Sequence, residues 1–197
     1  MRETRLPGAL EIMQRLRTTN LQASGLLSTL LLLTAGCSQM SSQALNSEGV
    51  RLYQNGNYVQ AAEQFQRSVA SNPKNADSYY NLASALHKNG KLYGRQEDLA
   101  QAEQLYNQCL DYDPEHTECY RALAVLLSET DRNDAAFRLL EGWASRNPNT
   151  ADPQIELARL LEETNNLNQA SSRLVQALAI EPRNSRALTA LGRLRER

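Results

Sequence analysis

Histidine is scarce in this chain, with two copies in 197 residues, and no HExxH, GxSxG, GxGxxG or phosphate-loop spacing occurs in it. Metallohydrolase, serine-hydrolase and nucleotide-binding chemistry are thereby left without their residues. His87 and His116 fall at opposite ends of predicted first helices, ~18 Å apart at ~1.5 Å per residue. They cannot share a metal or a proton, and solvated surface positions are expected for both. No basic stripe appears. Removing the four basic and two acidic residues of 1–36 from the 21 and 22 of the whole leaves 17 and 20, a net of −3, with the signs interspersed. That excludes the electrostatic footprint of a nucleic-acid binder. Only two Phe, six Pro and no alternating β-branched runs argue against a sheet, while 41% apolar residues suit helices around a core. No enzyme activity, cofactor, metal or small-molecule substrate is expected.

Arg2, Arg5, Arg15 and Arg17 precede an uncharged stretch over 25–33, Gly-Leu-Leu-Ser-Thr-Leu-Leu-Leu-Leu. It is shorter than the ~20 apolar residues that cross a bilayer. A basic flank, a short apolar centre and the small residues Thr34-Ala35-Gly36 make a secretory leader over 1–36, starting at Met1 or at Met13. Cys37 follows at once, and the ending resembles the lipobox of bacterial lipoproteins, with Thr34 where that family usually has Leu. The resemblance implies cleavage before Cys37, acylation of its thiol, and a periplasm-facing anchor in the cell envelope. Residues 37–41 form the lipidated cysteine and a short polar tether. Ser38, in place of the Asp that marks inner-membrane retention, implies the outer membrane.

Pro73, Pro114, Pro148 and Pro182 stand 41, 34 and 34 residues apart, so one unit of a 34-residue repeat has gained seven. Aligned on them, Gly49, Ala83, Ala124, Ala158 and Gly192 form one small column, and Ala61, Ala102, Ala136 and Ala170 another. Four residues after the second column comes a large apolar group: Phe65, Tyr106, Leu140, Leu174. Small residues let two helices approach to ~8–10 Å, and the large one fills the space beside them. The pattern predicts helices near 43–54, 58–71, 76–88, 97–111, 117–130, 133–146, 151–164, 167–180 and 185–196. Gly56, Gly90, Asp131 and Asn165 are placed at helix-ending turns, and Asp152 as a cap before Pro153.

Over 42–197 these columns resemble the tetratricopeptide repeat. The resemblance implies an all-α, right-handed superhelical solenoid of four helix–turn–helix units, 42–75, 76–116, 117–150 and 151–184. A solvating helix, 185–197, closes it with the polar run Arg193-Leu-Arg-Glu-Arg197.

Three features remain. Cys109 and Cys119 flank the Pro114 turn, which folds them together; they form either a disulfide or two buried thiols. Trp143 and Ala144 reverse the order of large and small found elsewhere, which reads as core. The seven extra residues fall within 91–98, as a lengthened second helix or a protruding loop that offers Leu92 and Tyr93.

The family binds through the concave face of its first helices, which here carries Tyr53, Tyr80, Ser84, His87, Arg121, Val125, Ile155 and Arg159. The clamp for chaperone tails found in some relatives is not supported, because Asn81 alone matches it and Ala122 and Glu156 stand in the later places. The expected function is a membrane-anchored adaptor that holds a protein segment in this groove, in an envelope machine such as a type IV pilus. The alternative is a structural subunit of a homo-oligomer.

Overall fold

The structure, a computed structural model, describes residues 42–196. The leader, Cys37 and the tether lie outside the described residues. Nine helices and no strand occur among those described: α1 (42–54), α2 (Tyr58–Ser71), α3 (Ala76–Tyr93), α4 (Gln96–Tyr112), α5 (Thr117–Glu129), α6 (Asn133–Arg146), α7 (Asp152–Glu163), α8 (Leu167–Ile180) and α9 (Ser185–Arg195).

Local chemistry starts and stops them. The Asn75 and Asn184 side chains accept the Ser78 and Ala187 N–H groups, each at 3.1 Å, and so begin α3 and α9. At α5 the His116 imidazole does the same for Cys119 N–H, at 3.2 Å. Asp152 is no cap. It lies inside α7, with Ala151 before it and Pro153 buried in the first turn, and its carboxylate receives Arg186 at 2.6 Å instead. Gly56, Asp131 and Asn165 sit at positive φ of 78°, 59° and 61° between paired helices, as expected. Each repeat turn is then latched to the next unit where a tyrosine is available. Tyr79 O–H donates to Pro73 C=O at 3.0 Å, and Tyr120 O–H to Pro114 C=O at 3.2 Å.

Gly90 departs from its expected role. It is buried inside α3, where an added Cβ would stand 2.9 Å from the Leu99 side chain, and Gly94 makes the turn at φ 66°. The extra residues therefore lengthen the first helix of the second unit as well as the second helix. They build neither a loop nor one long second helix. Asn89 and Asp98 side chains bond across the two helices near this end, leaving Leu92 and Tyr93 exposed.

Both small columns are buried in every repeat unit, and so are Phe65, Tyr106, Leu140 and Leu174 beside them. Each helix packs on its chain neighbours, and α3 on α5 and α5 on α7 connect successive first helices. Trp143 is core, lying flat on Tyr120 with ring centroids 4.6 Å apart and planes 6° from parallel. The core has two parts. The larger runs from α1 to one side of α7, through Leu157 and Leu160; the smaller joins Ile155, Ala158 and Leu161 of α7 to α8 and α9. Phe137 packs against both. At the end of the stack Ala187 and Leu191 are buried, while Leu188 is half-exposed.

Candidate functional site

First helices that pack side by side present one row of side chains each to the same face. Tyr53 of α1, Tyr80, Ser84 and His87 of α3, and Arg121 and Val125 of α5 surround one cavity of about 200 Å³. Ile155 and Arg159 of α7 line a second, of about 350 Å³, between α7 and α9. All eight expected groove residues thus face cavities, six together and two apart.

The first cavity has a fixed polar lining. His87 is buried, not solvated, and Nε2 lies 2.9 Å from the Glu129 carboxylate. Burial holds its pKa below the ordinary value, against the pull of Glu129, so the neutral ring donates from Nε2 to the carboxylate. Nδ1 then accepts the Tyr106 O–H at 3.4 Å, and Ser84 Oγ lies 3.3 Å from that oxygen. Burial pushes the Tyr106 phenol far up, so it remains a donor. Lys91, bonded to Glu129, ends the chain on the outside. Tyr106 belongs to a second helix and was expected only as a core filler; its hydroxyl reaches the groove because its column lies between two first helices. Lys88, Glu118 and Ala122 complete the lining.

Between the cavities is Glu156, which has no exposed surface. Arg121 Nε donates to one of its oxygens at 2.8 Å and Arg159 Nε to the other at 3.0 Å, and Arg186 joins the first. Burial alone would raise its pKa, but Arg121 and Arg159 outweigh this and hold the carboxyl below the usual range. Arg121 lines the first cavity, and Arg159 and Arg186 the second, so one buried carboxylate positions charged groups on both.

His116 also is buried, with Nε2 3.1 Å from Asp77 and its ring against Tyr80, centroids 5.2 Å apart. Cys109 and Cys119 are free, buried thiols, and no disulfide joins them in the structure. Among the described residues no group of three His, Cys, Asp or Glu side chains is arranged to hold a metal ion.

Profiles of known families match most of the described residues. One described as TPR repeat matches 49–90, and one described as Tetratricopeptide repeat matches 95–154 and 131–194. Similar solved structures share the same helical stack. A structure reported as the functional characterization of Pseudomonas aeruginosa pilF is 17% identical, with 80% of this chain and 68% of that one covered and a TM-score of 0.60. MamA from Desulfovibrio magneticus RS-1 is 15% identical over 79% of this chain and 84% of its own, with a TM-score of 0.53. A double mutant of MamA RS-1 gives 15%, 79%, 84% and 0.55. No curated protein matches. At such identities the likeness is one of fold.

Proposed function

This chain belongs to the tetratricopeptide-repeat family, and on that footing we propose that it is a non-catalytic adaptor, anchored through a lipid on Cys37, whose groove holds a segment of a partner protein. One observation carries the reading: six side chains from three first helices converge on one cavity, with Tyr106 and Lys88. Tyrosine and arginine bring large contact areas and hydrogen-bonding tips. Here Tyr106 and His87 are set in place beforehand by the Ser84–Tyr106–His87–Glu129 chain and Arg121 by Glu156, which lowers the cost of ordering them on binding.

Anchoring rests on the leader and the Thr34-Ala35-Gly36-Cys37 sequence. Two or more acyl chains, at ~0.8 kcal/mol per buried methylene, would hold the chain firmly at a membrane. The outer membrane, and an envelope machine such as a type IV pilus, are the settings suggested by the resemblance to anchored repeat proteins. Cys37→Ser should abolish labelling by radioactive fatty acid and release the protein from the membrane fraction.

For the groove, a photo-crosslinking amino acid at Val125 should capture one partner from intact cells, and the same probe at Arg67, exposed on α2, should not. Equal capture from both positions would sink the reading. A second reading, a homo-oligomer stacked end to end, is favoured by Leu188 and Val175, both half-exposed on the final helices. Light scattering separates the two: an adaptor remains a monomer as concentration rises.

A further inference from the structure

The extra residues of the second unit build a feature that the groove does not use. With a repeat of 34 residues, the end of α1 at 54 corresponds to 88 in α3, yet α3 continues to Tyr93. The helix therefore overshoots by five residues, ~7.5 Å at ~1.5 Å per residue. Between this overhang and the start of α2 is a cavity of about 240 Å³, walled by 56–60, Asn89 and Tyr93. No charged side chain lines it.

The two walls carry opposite halves of a hydrogen-bonding set. On α2, Asn57 makes no side-chain cap, and the helical ladder begins with Ala61 N–H donating to Asn57 C=O at 2.9 Å. The N–H groups of Tyr58, Val59 and Gln60 precede that bond, as donors. On α3, Asn89 is only 4% exposed. Its Nδ2 donates to Asp98, which fixes the orientation of the amide, and its Oδ1 has no partner. Buried acceptors are nearly always satisfied, so this one calls for a donor from outside the chain. Tyr93 stands one turn beyond Asn89 on the same side of α3 and is 71% exposed, so it can turn aside and then cover what enters. Val59 and Leu92, both more than half exposed, add apolar surface beside it.

Each wall narrows the ligand. An anion would suit the α2 donors but has no proton to give the Asn89 oxygen, and a cation would meet the positive end of the α2 dipole. A peptide group has both halves, a C=O for α2 and an N–H for Asn89. It is uncharged, like the lining, and its side chain can lie on Tyr93 and Val59. We propose that the α3 overhang and the start of α2 form a docking site for the main chain of an extended, uncharged segment of a partner protein. The site borders the groove at Tyr53 and Tyr58, whose rings meet edge-on with centroids 5.1 Å apart. It lies outside the cavity that holds the six groove side chains, so the chain can hold a second segment there whether or not the groove is filled.

The test titrates the full, nitrogen-15-labelled chain with N-acetyl-leucine N-methylamide, which has two peptide groups, one aliphatic side chain and no charge. The backbone amide resonances of Tyr58, Val59 and Gln60 and the side-chain amide of Asn89 should move together and saturate, with a dissociation constant of about 1–10 mM. Those of 167–169 should stay still: α8 also starts without a side-chain cap, but α7 ends at Glu163, the place equivalent to 54, and does not overhang it. Tyr93→Ala, at an exposed position, should weaken binding several-fold with the melting temperature unchanged. Asn89→Leu should weaken it at least tenfold. The proposal is overturned if the resonances of 58–60 move no more than those of 167–169, or if neither substitution weakens the titration. It is overturned also if sodium acetate at the same concentration moves them equally, which would mark a site for anions.

Discussion

A carboxylate with no exposed surface, held by three arginines, is the most consequential single residue here. Glu156→Gln keeps the shape and removes the charge, leaving Arg121, Arg159 and Arg186 to repel one another. Because the arginines are partly exposed and Arg159 and Arg186 keep Glu163 and Asp152, the cost should be about 1–3 kcal/mol, which denaturant unfolding at pH 7 would show. For two buried groups the pH dependence has the same sign. Glu156 and His87 are both held below their ordinary values in the folded chain. Each therefore lends stability above its ordinary value and loses it as pH falls through the lowered one. Acid should weaken the wild type through these two groups in two stages, first through the histidine range, where His116, held above its ordinary value, works in the opposite sense, and then through the carboxylate range. Glu156→Gln should lack the second, as melting temperatures from pH 8 to pH 3 would reveal. These residues were the least legible in the sequence. His87, His116 and Glu156 find partners 42, 39 and 35 residues away, Glu129, Asp77 and Arg121, on the next or preceding first helix. Local pattern sees only a polar side chain on a helix and expects it in water. The sign alternation at near-repeat spacing was the one available clue.

Among the helices, what was legible is what recurs. The small columns and their large neighbours gave the register of all four hairpins, because a clash at the helix crossing is felt wherever it occurs. Gly90 was misread because glycine serves two ends, a left-handed turn or a close approach, and sequence alone does not distinguish them. The structure shows the second, with Leu99 lying where a side chain would be. Gly49 has the same character: an added Cβ would meet the Phe65 ring at 2.5 Å. Gly49→Ala should therefore cost about 1–3 kcal/mol despite alanine's better helix propensity. The third and fourth units carry Ala124 with Leu140 and Ala158 with Leu174 in the same two columns. Adding Phe65→Leu to Gly49→Ala should recover part of the loss, measured as a double-mutant cycle; additive losses would refute the packing account.

Over the whole stack, helix α7 is apolar on two sides, giving Leu157 and Leu160 to one core and Ile155, Ala158 and Leu161 to the other. Phe137 touches both cores, and the Arg173 guanidinium lies 5.9 Å from its ring centre. Stability in repeat arrays is close to a sum of units and the interfaces between them. Phe137→Ala should remove up to about 3 kcal/mol at this one interface. Hydrogen exchange in α8 and α9 should then quicken while α3 to α5 stay protected; uniform acceleration would mean that the cores are not separable. The division of the core was not legible, since every hairpin satisfies the same columns and only the distribution of larger side chains sets one seam apart. A stack so divided has a preferred line of parting: pulled from its two ends, it should open along α7 before either half unravels.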